Sequence, residues 1–106
     1  MNKTDFEEEV KNITNQIVRK YKPEKIILFG SAARGKFDPE KSDLDFLVVK
    51  NDKKDFHDRM VLLYRIVKKN LPADFLVYTP QELKIRLALG DPFITLIVKE
   101  GKVLYG

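Results

Sequence analysis

Apolar residues along the chain follow two spacings, one typical of helices and one typical of strands. Positions three or four residues apart form one face of a helix, and this spacing predicts amphipathic helices over residues 5–21 and 56–67. Pro23 is expected to end the first helix, and Asn70 to follow the second as a left-handed cap. Short runs of β-forming residues predict buried strands over residues 25–29, 44–50 and 73–78.

The last third of the chain combines helix signals with one ambiguous segment. Residues 79–82 form a capping box with Pro at the first helical position, which predicts a helix that ends at Gly90. Residues 93–98 have the composition of a strand, but Asp-Pro before them and Gly after them are typical of a helix start and stop. We therefore predict a short buried helix there, followed by a small strand over residues 102–105.

Length and composition limit the classes of protein to which the chain can belong. Its 106 residues contain no repeat and no Pro/Gly linker, so we expect one domain over residues 1–106. The absence of Cys and the presence of one His exclude a disulfide scaffold, a thiolate zinc site and a polyhistidine metal site. No apolar run is long enough for a membrane span and no signal peptide is evident, so a cytoplasmic protein without membrane contact is expected.

The net charge of +4 raises the question of a nucleic-acid partner. The 20 Lys and Arg residues are interleaved with 16 Asp and Glu residues, and no Arg cluster or basic run with aromatic residues occurs. This pattern argues against nucleic acid as the primary partner.

Two carboxylates near the start of the second predicted strand are the first sign of a chemical site. Asp43 and Asp45 are two residues apart, so on a strand both side chains point to one face, about 6.5 to 7 Å apart at the backbone. Their oxygens could then converge on a hard cation. Asp is disfavoured in strands and like charges repel, so a structural role alone gives little reason for this pair.

A Gly-Ser turn between the first two predicted strands supplies a second candidate feature. If residues 32–35 begin a short helix, free backbone N–H groups and the Ser31 hydroxyl face an incoming anion, and Gly30 and Gly35 permit its close approach. The spacing matches neither a Walker loop nor a dinucleotide fingerprint. Arg34 could contact a phosphate or could instead pair with a nearby acid such as Asp38 or Glu40.

A third acid, Asp74, lies within the otherwise apolar third strand. An exposed position at a sheet edge would explain this residue without any chemistry. If the third strand lies beside the second, however, Asp74 joins Asp43 and Asp45 in an arrangement of three carboxylates that suits two metal ions.

These motifs resemble those of a known superfamily. Phe-Gly-Ser-Ala-Ala-Arg-Gly over residues 29–35, Ser-Asp-Leu-Asp-Phe-Leu-Val over residues 42–48 and the third strand's Asp74 are similar to the DNA polymerase β-like nucleotidyltransferases. The short chain and its Lys-Glu-Gly-Lys-Val-Leu-Tyr-Gly ending resemble the minimal nucleotidyltransferase (MNT) branch. The resemblance implies an α/β (α+β) palm fold, with a mixed β-sheet flanked by helices.

The resemblance also implies the ligands of the site. Two Mg²⁺ ions, or Mn²⁺, would be held by Asp43, Asp45 and Asp74. A nucleoside triphosphate, with ATP as the expected substrate, would bind at the Gly-Ser turn, at Gly30, Ser31, Arg34 and Gly35. Asp74 is the expected general base, because it comes from a separate strand and could face the acceptor.

The small size of the chain indicates that a second molecule must hold the acceptor. Larger relatives carry extra domains for this purpose. MNT proteins are commonly paired with a helical HEPN-domain toxin, and some transfer AMP to a tyrosine of that partner. The resemblance therefore implies an antitoxin that adenylylates its HEPN partner. Two alternatives stay open: a non-catalytic antitoxin that masks the partner, and a small-molecule nucleotidyltransferase.

Overall fold

A computed structural model describes residues 3–36, 38 and 42–106 of the chain. Its helices and strands follow the predicted order closely, and the capping box at Thr79 and Glu82 is formed. The elements are α1 (Lys3–Tyr21), β1 (Lys25–Phe29), β2 (Leu44–Val49), α2 (Phe56–Ile66), β3 (Ala73–Tyr78), α3 (Pro80–Ala88), α4 (Pro92–Glu100) and β4 (Lys102–Tyr105). Within the described ranges, no helix has the length and apolar content needed to cross a membrane.

The four strands form one mixed sheet in the order β3-β2-β1-β4. β1 is antiparallel to both β2 and β4, whereas β2 and β3 are parallel. A parallel pair needs a crossover, and α2 provides it between β2 and β3. The predicted fold class, a mixed sheet flanked by helices, is confirmed.

Both faces of the sheet are covered by helices. One face packs against α1 and α2 around buried residues such as Ile13, Phe46 and Phe75. The other face packs against α3 and α4, where Leu47 and Ile97 are buried. Since side chains alternate along a strand, Asp45 and Asp74 lie on the face of Leu47, the one that α3 and α4 cover.

Two details of the predicted helices are wrong. α2 ends at Ile66, Val67 after it is extended at φ −94° and ψ 120°, and Asn70 does not have the positive φ of a left-handed cap. The helix α4 exists as predicted, but only one of its faces is buried. Phe93 and Leu96 remain 50% and 46% exposed, because the sheet contacts one side of α4 and no described element covers the other.

A row of polar residues on α1 fixes the loop that leads into β3. The Glu9 carboxylate accepts hydrogen bonds from the backbone N–H groups of Asn70 and Leu71. Two helical turns further along α1, the Gln16 amide donates to the Lys68 carbonyl at 2.6 Å and accepts from the backbone N–H of Lys68 at 2.8 Å. Both α1 residues are buried, at 5% and 6% exposure. The amphipathic spacing predicted the apolar face of α1 and missed this polar one.

Replacing Glu9 by Ala is expected to lower the free energy of unfolding by about 1 to 3 kcal/mol, because the buried N–H of Leu71 and the partly buried N–H of Asn70 lose their acceptor. The matched control is Glu8→Ala, which removes an exposed carboxylate from the same helix and should change stability by less than about 0.5 kcal/mol. Urea unfolding of the two variants measures the difference. Equal effects would show that the contacts of Glu9 do not stabilise the fold.

Candidate functional site

The ends of three strands meet at the candidate site. Phe29, the last residue of β1, lies opposite Asp45 near the start of β2, and Asp45 lies opposite Asp74 near the start of β3. Neighbouring strands are about 4.8 Å apart, so Asp45 and Asp74 are adjacent on one face of the sheet. The sequence left open whether β3 lies beside β2, and the parallel register between them meets that condition.

Gly30 lies against the Asp45 carboxylate. Its φ of +75° is in the region that favours glycine, directly after the last residue of β1. A Cβ atom at this position would lie 2.5 Å from Asp45 Oδ2, which is too close for any non-bonded contact. Gly30 therefore serves two purposes, since it allows the turn and leaves room for the carboxylate.

The segment after β1 forms turns and not the short helix that we considered over residues 32–35. The backbone N–H of Arg34 donates to the Gly30 carbonyl at 3.2 Å, and the N–H of Lys36 donates to the Ser31 carbonyl at 2.9 Å. Gly35 ends the segment at φ +71°. Ser31 is half-buried at the start of these turns, next to Gly30.

The carboxylates influence one another electrostatically. Burial, followed by the negative charges of Asp74 and Asp43, raises the pKa of Asp45 to about 6. Asp43 itself is exposed, just before β2. A bound cation would relieve this repulsion, and carboxylate oxygens are the ligands that Mg²⁺ prefers. The donor set thus fits a divalent metal.

The described residues do not form a preassembled metal cluster. In the ranges 3–36, 38 and 42–106, no three His, Cys, Asp or Glu side chains are close enough together to hold an ion. Asp45 and Asp74 are neighbours by register, and Asp43 contributes its charge from outside the strand. Joint ligation by all three carboxylates stays a prediction.

Tyr64 on α2 contacts one of the carboxylates of the site. Its hydroxyl donates a hydrogen bond to Asp74 Oδ1 at 2.8 Å. The ring packs against Phe75 with centroids 5.3 Å apart, and Lys69 Nζ lies 5.3 Å from the ring centroid. Burial, followed by the bond to Asp74, raises the pKa of Tyr64 to about 12. No spacing in the sequence indicates this contact, because it depends on how α2 packs beside β3.

A pocket of about 220 Å³ opens next to Asp45. Gly30 and Arg34 line it from the turn after β1, and Phe93 and Leu96 line it from α4. The Phe29 and Phe93 rings meet edge to face, with centroids 5.8 Å apart. One side of the pocket is therefore polar and carries the carboxylate, whereas the other side is apolar.

Arg34 and Ser42 lie in the segment between β1 and β2, and the sequence left open whether Arg34 contacts a phosphate or a nearby acid. Arg34 is exposed at the pocket, and Glu40, one of the acids considered as its partner, lies outside the described residues. Ser42 has a structural contact, because its hydroxyl accepts from the Asp38 N–H at 3.3 Å and its own N–H donates to the Asp38 carbonyl at 2.7 Å. The phosphate contact of Arg34 stays a prediction.

Comparisons with known proteins agree with this geometry. Residues 10–105 match the family described as "Nucleotidyltransferase domain". The fold is similar to the crystal structure of a candidate nucleotidyltransferase from Sulfolobus solfataricus, with a TM-score of 0.55 and 26% identity over 80% of this chain and 82% of that one. No protein of curated function matches significantly. The strand-end aspartates, the glycine turn packed on one of them and the family match over nearly the whole chain together show that this chain belongs to the nucleotidyltransferase domain family.

Proposed function

We propose that the chain transfers AMP from Mg-ATP to the hydroxyl group of a tyrosine in a HEPN-domain partner. It thereby acts as the antitoxin of that partner. The observation that carries the transferase part is the strand register that brings Asp45 beside Asp74, next to the Gly30 turn. The resemblance to MNT proteins supports the choice of ATP and of a HEPN partner.

The aspartates and the residues of the Gly-Ser turn have different roles in the transfer. Asp45 and Asp74, with Asp43, would hold divalent metal, which when bound neutralises triphosphate charge and stabilises the departing pyrophosphate. Gly30 lets the triphosphate approach the backbone beside Asp45, and Ser31 and Arg34 donate hydrogen bonds to its oxygens. Asp74 accepts the proton of the acceptor hydroxyl as general base.

The surface around the pocket supports a protein as acceptor. Phe93 and Leu96 line the pocket beside Asp45 and stay about half exposed. Exposed apolar side chains next to a reactive centre are typical of surfaces that dock another protein. A small polar acceptor would gain little from this apolar rim, so the rim favours a macromolecular acceptor over a small molecule.

To test this, the protein is incubated with Mg-ATP and a HEPN-domain protein as partner. The two are then separated, and the intact mass of the partner is measured. Transfer should add about 329 Da for each AMP, and the Asp43→Asn/Asp45→Asn double variant should add none. The silenced state should persist after the two proteins are separated. A partner of unchanged mass that the double variant still inhibits would favour the masking alternative and overturn the proposal.

A further inference from the structure

Tyr64 places a hydroxyl of this chain beside the carboxylate that the proposed reaction uses as its general base. Its Oη lies 2.8 Å from Asp74 Oδ1, and Asp74 lies opposite Asp45 in the sheet. The side chain is 36% exposed, so the phenol is open to solvent while its ring stays held against Phe75. A hydroxyl hydrogen-bonded to the general base has the geometry of a nucleophile ready for activation.

We propose that Tyr64 is a nucleotidyl acceptor in cis: when no partner is bound, the site modifies its own Tyr64. This inference rests on the proposed transferase function and adds a modification site to it. The other hydroxyls near the site are less suitably placed. Ser31, next to Gly30, donates to the triphosphate in the proposed function. Ser42 is engaged with the Asp38 backbone, and Tyr78 lies four residues along β3 from Asp74, about 13 Å away at the backbone.

The step balances with the nucleoside triphosphate as co-reactant. A lone pair of Tyr64 Oη forms a bond to the α-phosphorus. The bond between this phosphorus and the oxygen that bridges to the β-phosphate breaks, and its electron pair leaves with pyrophosphate. The hydroxyl proton passes to Asp74 Oδ1 along the existing hydrogen bond.

Modification would have a consequence for the site itself. The phosphodiester on Oη lacks the proton that Tyr64 now donates to Asp74, so the hydrogen bond between them would be lost. The attached nucleotide would stay beside the general base, where an external hydroxyl must approach. We therefore expect a single transfer that lowers the activity of the modified chain towards a partner.

To test this, the purified chain is incubated alone with Mg-ATP and its intact mass is measured. Peptide mapping then locates the modified residue. We expect a gain of about 329 Da, corresponding to one AMP, located on Tyr64. The Tyr64→Phe variant should gain nothing while it keeps its ring contact with Phe75. The matched control is Tyr21→Phe, because Tyr21 also donates to an aspartate, Asp52 at 2.6 Å, but beyond the far end of β2. This control should gain the same mass as the unchanged protein.

A mixing experiment separates transfer in cis from transfer between copies. The unchanged chain is incubated with a tagged Asp43→Asn/Asp45→Asn chain, which still carries Tyr64 and differs in mass. Only the unchanged chain should gain AMP. A gain on the tagged chain would overturn the assignment of the reaction to one molecule.

Binding of Mg-ATP, measured by calorimetry on the same samples, distinguishes failure of this inference from failure of the proposed function. A chain that binds Mg-ATP and modifies its partner but gains no mass itself would overturn the role of Tyr64 alone. AMP on a different residue, with Tyr64 unmodified, would also overturn the role of Tyr64. A chain that neither binds Mg-ATP nor modifies any protein would overturn both proposals.

Discussion

Replacing Asp45 by Asn is expected to abolish metal-dependent ATP binding and, in metal-free buffer at neutral pH, to make the protein more stable. The two effects have one cause. Asp45 is half-buried beside two other carboxylates, so its charge is unfavourable until a cation binds. Loss of a supporting partner of a metal ligand already weakens a site about 10- to 100-fold, so loss of the ligand itself should weaken ATP binding by at least about 100-fold.

The stability effect should depend on pH in a defined direction. Folding raises the pKa of Asp45 from 3.8 to about 6, so between these values the folded protein binds more protons than the unfolded chain. Stability of the metal-free protein therefore falls as pH rises from about 4 to 6, and Asp45→Asn removes that part of the decline. The side chain is partly exposed, so the gain at pH 7 should be at most about 1 kcal/mol, a rise of a few degrees in Tm.

Calorimetric titration with Mg-ATP and thermal unfolding at pH 4 and pH 7 measure both effects. Asp58→Asn is the control, because it removes an exposed carboxylate in the first turn of α2, away from Asp45 and Asp74. The control should leave ATP affinity unchanged. Undiminished ATP affinity in Asp45→Asn would show that the site is wrongly assigned, and a Tm gain that is the same at both pH values would contradict the electrostatic cause.

Replacing Gly30 by Ala should cost far more in ATP binding than its loss of stability suggests. Alanine at φ +75° is strained, and this alone costs about 1 to 2 kcal/mol. The new methyl group would also meet Asp45 Oδ2 at 2.5 Å, so the carboxylate must move away from its place beside the turn. We expect a loss of at least about 10-fold in Mg-ATP affinity in addition to the lower Tm.

Gly90 provides a matched control for the backbone strain. Its φ of +73° is nearly that of Gly30, but a Cβ atom there would have no neighbour within 4 Å, and it follows α3 outside the pocket. Gly90→Ala should therefore lower Tm by the part that backbone strain alone accounts for and leave ATP affinity intact. If the two variants bind ATP equally well, the contact between Gly30 and Asp45 does not serve the site.

The sequence predicted most of the secondary structure because its signals are local. Helical spacing, the capping box at Thr79 and the apolar runs each depend on neighbouring residues, and the corresponding elements are present. The ambiguous segment at residues 93–98 is helical, as its flanking residues predicted, because the Asp91 side chain caps the backbone N–H groups at the start of α4. The local signals did not predict that Phe93 is exposed, because burial depends on what packs against a helix.

For the site, the sequence determined the chemistry, and the tertiary structure decided which groups meet. The spacing of Asp43 and Asp45, the Gly-Ser turn and an acid within the third strand are properties of the chain itself, and they indicated a phosphate and metal site. The pairing of Asp45 with Asp74 depends on β3 lying parallel to β2, and the bond from Tyr64 depends on how α2 packs after its crossover. These contacts join residues 10 to 29 positions apart, and no local pattern specifies them because they form only when helices and strands bury their apolar faces together.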